Sequence, residues 1–584
     1  MRRYQDPALP VAERVEDLLA RMTLDEKIGQ MTQAERVESD EADVTAYRLG
    51  SVLSGGGSVP EPNAPKTWAD MYDGLQKAAL RTPLGIPILY GVDAVHGHGN
   101  VVGATVFPHN IGLGATRDPG LVREIGAAVA REVTGTGITW NFAPCLGVVR
   151  NPRWGRTYES FGELSELPVA MTSYIAGLQG PRVGPPPSVM ATAKHYVGDG
   201  GTDDGDDQGD TRLSEAELRA LHLPPFLAAL RLGVGSIMIS LSAWNGAKVH
   251  GHRYLITEVL KEELGFTGIV VSDWNGLDEI FGREEFTGEE VRAAINAGID
   301  MVMVPERWRH FIDVLREEVE AGRVPMSRVD DANRRILTKK FEQGLFEDPL
   351  TDRSYLETIG SEEHRALARR AVAASQVVLK NEGGLLPLAP GARRILVAGR
   401  AADDIGMQCG GWTVTWQGSP GPITDGTTIL AGIRAAAGPA ATVVHDPGGT
   451  GADSSFDVAI AVVGEEPYAE DEGDLPGDMG LAACDLEVIA RLREAGVPVV
   501  VVLVSGRQLD LAAELPGWDA LVAAWLPGTE GDGVADVLFG AAPATGRLPV
   551  TWMRSADQLP INDGDGQVPL FPYGYGLSLD SGES

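Results

Sequence analysis

Val189–Met–Ala–Thr–Ala–Lys–His–Tyr–Val–Gly–Asp–Gly200 begins as a run of small and apolar residues of strand length and then presents an ammonium and an imidazole. A continuous apolar run bounded by Pro and Gly reads as a strand buried on both faces, as in a parallel sheet. The same design recurs on both sides of it. Ile86–Val92 is followed by Asp93, and Ile269–Ser272 by Asp273 and Trp274. Thr139–Ala143, Ser236–Leu241 and Met301–Val304 are further runs of this kind, separated by helical segments. So many βαβ units in succession predict a (β/α)8-type barrel over residues 1–345. Polar residues just past the C-terminal ends of such strands lie on the rim where barrel loops converge. Asp93, Lys194, His195 and Asp273 are therefore expected in one pocket.

Outward from these strands, Val11, Val15, Leu18, Leu19 and Met22 follow helical spacing, and Thr23 with Glu26 forms a capping box opening a helix from Leu24 to Met31. Periodicity lapses around Gly344–Asp352, which contains Pro349, so a linker is expected at 346–362. Arg394–Ala398, Val458–Val463, Val499–Val504 and Ala520–Trp525 then read as buried parallel strands of a smaller α/β/α open-sheet domain, 363–552. The segment 553–584 lacks periodicity and is expected to pack back on the domains.

The chain's 584 residues suit two such cores, and 43% hydrophobic with 22% charged residues is a globular composition. Its longest apolar run, Ala520–Leu526, is far short of a membrane span. Asp6, Glu13, Glu16 and Asp17 stand where a signal peptide is uncharged. A cytoplasmic protein is the expectation, or a secreted one whose leader was removed. The net charge of −33 opposes phosphate backbones and anionic membranes, so neither nucleic acid nor membrane is an expected partner. Cys145, Cys409 and Cys484 show no CxxC spacing and are expected as buried thiols, with no zinc site. The run Asp204-x-Asp206-x-Gln208-Gly209 with Glu215 resembles a calcium loop, but Gln at its fifth position and the absence of a preceding helix argue against one.

Two loops add candidates. Arg150–Asn–Pro–Arg–Trp–Gly–Arg156 carries three guanidinium groups, whose forks suit carboxylates or vicinal diols. Glu465–Asp474 holds six acidic side chains in ten residues. Like charges and partial burial raise a carboxyl pKa, so one of the six is a candidate general acid.

At these residues the chain resembles glycoside hydrolase family 3, in particular its two-domain β-D-glucan exohydrolases and β-glucosidases. The resemblance rests on Gly91–Val–Asp–Ala–Val–His–Gly–His98, Phe107–Arg117, Arg153–Trp–Gly–Arg–Thr–Tyr–Glu–Ser160, Lys194–Gly200, Val271–Ser–Asp–Trp274, Cys409–Trp416 and Gly464–Glu470, in the family's order. It implies Asp273 as nucleophile and Glu470 as acid/base. It also implies Asp93, Arg156, Lys194 and His195 as ligands of a terminal glucosyl unit, with Trp274 and Trp416 sandwiching the next sugar. Positive charge on Lys194, Arg156 and His195 would keep Asp273 ionised, and Glu466, Asp471 and Glu472 would keep Glu470 protonated. The activity implied is a retaining, exo-acting β-glucosidase or β-glucan exohydrolase on oligosaccharide or β-glucan, with no metal or organic cofactor. The alternatives are a β-xylosidase or other glycosidase of the same mechanism, and a non-catalytic carbohydrate-binding protein. Leu241 stands where plant-type members carry Tyr, and Gln208 where they carry Glu. The His–Asp signature of the family's N-acetylglucosaminidases is missing.

Overall fold

The computed structural model describes residues 2–388, 391 and 393–579. Eight parallel strands form the first sheet: β1 (Thr32–Glu35), β2 (Ser51–Ser54), β3 (Leu89–Val92), β4 (Trp140–Asn141), β5 (Met190–Tyr196), β6 (Ser236–Ile239), β7 (Ile269–Val271) and β8 (Val302–Met303). Their order is β7-β6-β5-β4-β3-β2-β1-β8. A bridge between Val271 and Met301, with the Ser272 amide donating to Met301 at 3.0 Å, closes the barrel.

Five of these strands fall within the apolar runs of the sequence, and β5 begins in one and continues past it to Tyr196, but β1 and β2 lie outside them. Thr–Gln–Ala–Glu and Ser–Val–Leu–Ser are too polar and short to be read as buried strands, yet every residue of both is buried. Several of their polar side chains are paired across strands instead. Gln33 donates to Ser51 Oγ at 2.8 Å, and Ser51 Oγ to the Leu89 carbonyl at 2.9 Å. The Trp140 indole likewise donates to Thr192 and Ser236 hydroxyls at 2.9 and 2.8 Å. Hydrogen-bonded polar groups are tolerated in a core where unpaired ones are not.

The N-terminal helices are Val11–Leu19 and Leu24–Gln30, and the latter starts on the Thr23/Glu26 capping box. Among the described residues no helix is long and apolar enough to cross a membrane.

The second sheet comprises β9 (Val377–Asn381), β10 (Arg394–Ala398), β11 (Thr442–His445), β12 (Val458–Gly464), β13 (Val499–Val504) and β14 (Ala520–Trp525), in the order β9-β14-β13-β12-β10-β11. The four central strands are the parallel ones expected. The two edges were not foreseen: β11 is half-exposed and so only weakly apolar, and β9 runs antiparallel to β14. Residues beyond the last strand return to this sheet, with Leu577 donating to the Val378 carbonyl at 2.8 Å. Cys145 and Cys409 are buried, whereas Cys484 is exposed on the first turn of the helix Ala483–Glu494, contrary to the expectation of three buried thiols.

Candidate active site

A cavity of about 750 Å³ opens where the barrel's C-terminal rim meets the second domain. Asp93, Arg156, Lys194, Asp273, Trp274, Trp416 and Glu470 all line it. Asp93 follows β3 directly, and Asp273 stands two residues past β7. Lys194 and His195 lie inside β5 rather than beyond its end, because the strand continues to Tyr196. His195 stands next to Asp273, with its Nε2 3.5 Å from Asp273 Oδ2.

The basic groups are committed to carboxylates. Lys194 Nζ donates to Asp93 Oδ1 at 2.9 Å. Arg156 grips Glu159 with two bonds of 2.9 and 3.0 Å and donates its remaining nitrogen to Glu470 Oε1 at 2.8 Å. Burial works against the charge on Lys194 and Arg156, but Asp93 and Glu159 outweigh it, and both pKa values stay above their ordinary ranges. For Glu159 burial is likewise overcome, by Arg156 and Lys194, so it remains ionised.

His195 behaves differently from expectation. Burial first, then the neighbouring Arg156 and Lys194 charges, push its pKa well below the usual value, so the imidazole is neutral and adds no positive charge beside Asp273. Its Nδ1 lies 2.6 Å from Asp199 Oδ2. Cys145 completes a buried trio with these two, but 2.6 Å is a hydrogen-bond distance. Ligands of one tetrahedral ion at bonds of about 2.0–2.1 Å stand roughly 3.3 Å apart.

Glu470 opens a short 3-10 turn, Glu470–Gly473, in the loop after β12, and its backbone has φ +56°. Burial, with the charges of Asp273, Asp207 and Glu159 adding to it, raises its carboxyl to about 8 against the opposing pull of Arg156. The expected cause was different. Glu466 is exposed and paired with Arg400 at 2.7 Å, Asp471 and Glu472 are exposed, Asp471 at the cavity wall, and none of the three is among the main causes of the shift. Asp207, itself raised to about 7 by burial, and Glu159 were not singled out in the sequence, where Asp207 is one of several acidic residues in the Asp203–Asp210 run and Glu159 one member of the Arg153–Ser160 motif. Trp412 was also missed as a site residue; its indole donates to Glu159 at 3.2 Å, and the Lys194 ammonium lies 5.7 Å from its ring.

At the mouth the indoles of Trp274 and Trp416 are 37% and 36% exposed, against 2% for Lys194 and 4% for Arg156 in the interior. The loop after β2, Gly55–Gly56–Gly57, touches both indole residues. A Cβ on Gly55 would stand 2.9 Å from the Trp274 ring, and one on Gly56 2.6 Å from Trp416 Cα. Gln208 and Leu241 also line the cavity.

A barrel and a second domain closing on a cavity with two carboxyl groups, one held protonated at neutrality, is the architecture of a two-domain glycoside hydrolase. Comparison with known proteins gives the family. Residues 23–339 match the Glycosyl hydrolase family 3 N terminal domain, and residues 376–579 the Glycosyl hydrolase family 3 C-terminal domain. The chain is 34% identical to the lysosomal beta glucosidase of Dictyostelium discoideum, over 97% of this chain and 75% of that protein. It is 29% identical to a beta-xylosidase of Formosa agariphila, over 97% of this chain and 79% of that one. Among solved structures, the exo-1,3/1,4-beta-glucanase of a Pseudoalteromonas strain superposes with a TM-score of 0.93 at 42% identity, covering 98% of this chain and 74% of that one. The chain belongs to glycosyl hydrolase family 3.

Proposed function

We propose that the chain is a retaining, exo-acting β-glucosidase or β-glucan exohydrolase, with Asp273 as nucleophile and Glu470 as acid/base. The observation that carries this reading is the protonated, buried Glu470 in the same cavity as Asp273. Double displacement needs one ionised carboxylate to attack the anomeric carbon and one carboxylic acid to protonate the departing oxygen.

Arg156 suits both halves of the cycle. Its bond to Glu470 Oε1 leaves Oε2 to carry the proton toward the leaving oxygen, and once that proton has gone the guanidinium stabilises the carboxylate. Glu470 then takes a proton from the water that releases the sugar. Buried Lys194 and Arg156, with partly buried Asp93, form the inner end, where hydroxyls of a terminal glucosyl unit would be held, with His195 positioned beside Asp273. The half-exposed indoles at the mouth suit the apolar face of the next sugar, and an inner end so enclosed favours removal of single terminal units. The substrate class is thus a neutral β-linked oligosaccharide or glucan.

Proton NMR of aryl β-glucoside hydrolysis tests the reading. β-Glucose is expected as the first product, and α-glucose first would overturn the double displacement. The similarity to a beta-xylosidase keeps that specificity as the second reading. An aryl glucoside and xyloside pair separates the two by kcat/KM.

A further inference from the structure

The left-handed backbone of Glu470 is disfavoured for any residue but glycine and persists only where surroundings impose it. The imposing contacts come from the barrel. A Cβ on Gly155 would lie 1.8 Å from the Glu470 carbonyl oxygen, so the two loops meet backbone to backbone. Four residues after Glu470, the carboxylate of Asp474 accepts from the Gly155 amide at 2.7 Å with one oxygen and from the Asp207 amide at 2.8 Å with the other. Gly155 directly precedes Arg156, and Asp207 directly precedes Gln208, so both barrel loops held by Asp474 carry residues of the cavity wall. Further bonds to main-chain carbonyls, one from a backbone amide and the rest from guanidinium groups, extend the contact on the same side. Leu475 donates to the Arg153 carbonyl at 2.9 Å, Arg153 donates to the Leu475 and Gly477 carbonyls at 2.7 Å each, and buried Arg507 reaches Gly473 at 2.6 Å and Pro152 at 3.1 Å.

We propose that Asp474 is a positioning residue that ties the second domain's Glu470 loop to the two barrel loops bearing Arg156 and Gln208, and so sets where the acid/base meets the leaving oxygen. The inference rests on the reading of Glu470 as acid/base. Neither amide has another acceptor in this cluster, and water would not hold two loops from different domains in one register. Asp474 does not itself line the cavity, and Arg156 and Lys194 are held by their own pairs with Glu159 and Asp93, so its removal leaves the glucose-binding groups in place.

The test compares full-length wild type, Asp474→Ala, Asp474→Asn and Glu470→Ala on phenyl and 2,4-dinitrophenyl β-glucoside, with glucose as a competitive inhibitor. General-acid assistance is worth about 100- to 10,000-fold, and a misplaced acid forfeits part of it. For Asp474→Ala, kcat/KM on the phenyl glucoside is expected to fall by about 10- to 100-fold, while the dinitrophenyl glucoside, which leaves without a proton, changes by less than about 3-fold. Asp474→Asn keeps one acceptor oxygen and is expected to lie between. The inhibition constant of glucose is expected to be unchanged, which a general loss of structure would not allow. Equal losses on both substrates, or no loss on either, in both Asp474 variants would overturn the proposal. If Glu470→Ala shows the leaving-group split and the Asp474 variants do not, the positioning role alone falls. If Glu470→Ala shows no split, the acid assignment falls and the positioning role with it.

Discussion

Replacing Glu470 by Gln should stabilise the protein, by an amount that depends on pH. The folded carboxyl titrates near 8, against 4.5 for an unperturbed Glu. Between these values the folded chain holds a proton that the unfolded chain releases, so stability falls as pH rises from 4.5 and levels off above 8. At pH 7 the loss is about 2.5 units at 1.36 kcal/mol each, or about 3 kcal/mol, and it approaches about 5 kcal/mol by pH 9. Gln does not titrate, keeps an oxygen for Arg156, and escapes this loss. With an unfolding entropy of about 2.1 cal/mol/K per residue, cooperative melting of all 584 residues converts 3 kcal/mol into a Tm gain of about 2–3 °C at pH 7. Calorimetric melting of wild type and Glu470→Gln from pH 4.5 to 9 measures it. The gain should be near zero at pH 4.5 and grow to a plateau above pH 8. A difference independent of pH would refute the reasoning, because the carboxyl would then titrate alike in folded and unfolded chains.

Three further outcomes follow from the same geometry. The acid must be protonated to act, so kcat/KM for poor leaving groups should fall on the alkaline side with an apparent pKa near 8, about tenfold per pH unit beyond it; an alkaline limb with its midpoint below pH 6 would contradict the assignment. Gly155→Ala drives a Cβ into the Glu470 carbonyl and should cost about 100-fold in kcat on a phenyl glucoside, measured by steady-state kinetics with circular dichroism confirming the fold. Gly55→Ala tilts the Trp274 ring; loss of about 1 kcal/mol of stacking should raise KM for disaccharides about fivefold while aryl glucosides change less, as rates on the two substrate types would reveal.

The strands that carry Asp93, Lys194 and Asp273 were legible because apolar runs end abruptly in charged residues, a pattern that local composition encodes. The strands Thr32–Glu35 and Ser51–Ser54 were not, since Gln33, Ser51 and Ser54 find their partners eighteen and more residues away. The acidic loop around Glu470 announced a candidate acid, yet the cause of its raised pKa lay in burial and in Asp273, Asp207 and Glu159, all distant in sequence. His195 read as a cation and is neutral because the fold buries it between two stronger ones. Charge state is a property of assembled surroundings, and linear neighbours such as Glu466 and Glu472 are a poor guide to it.

The central claim is that Asp273 forms the covalent bond to the sugar. Incubation with 2,4-dinitrophenyl 2-deoxy-2-fluoro-β-glucoside slows release of the intermediate and traps it, and peptide mass spectrometry locates the label. Stoichiometric modification of Asp273 is expected; a label on Glu470, on Asp93 or on no residue would contradict the claim.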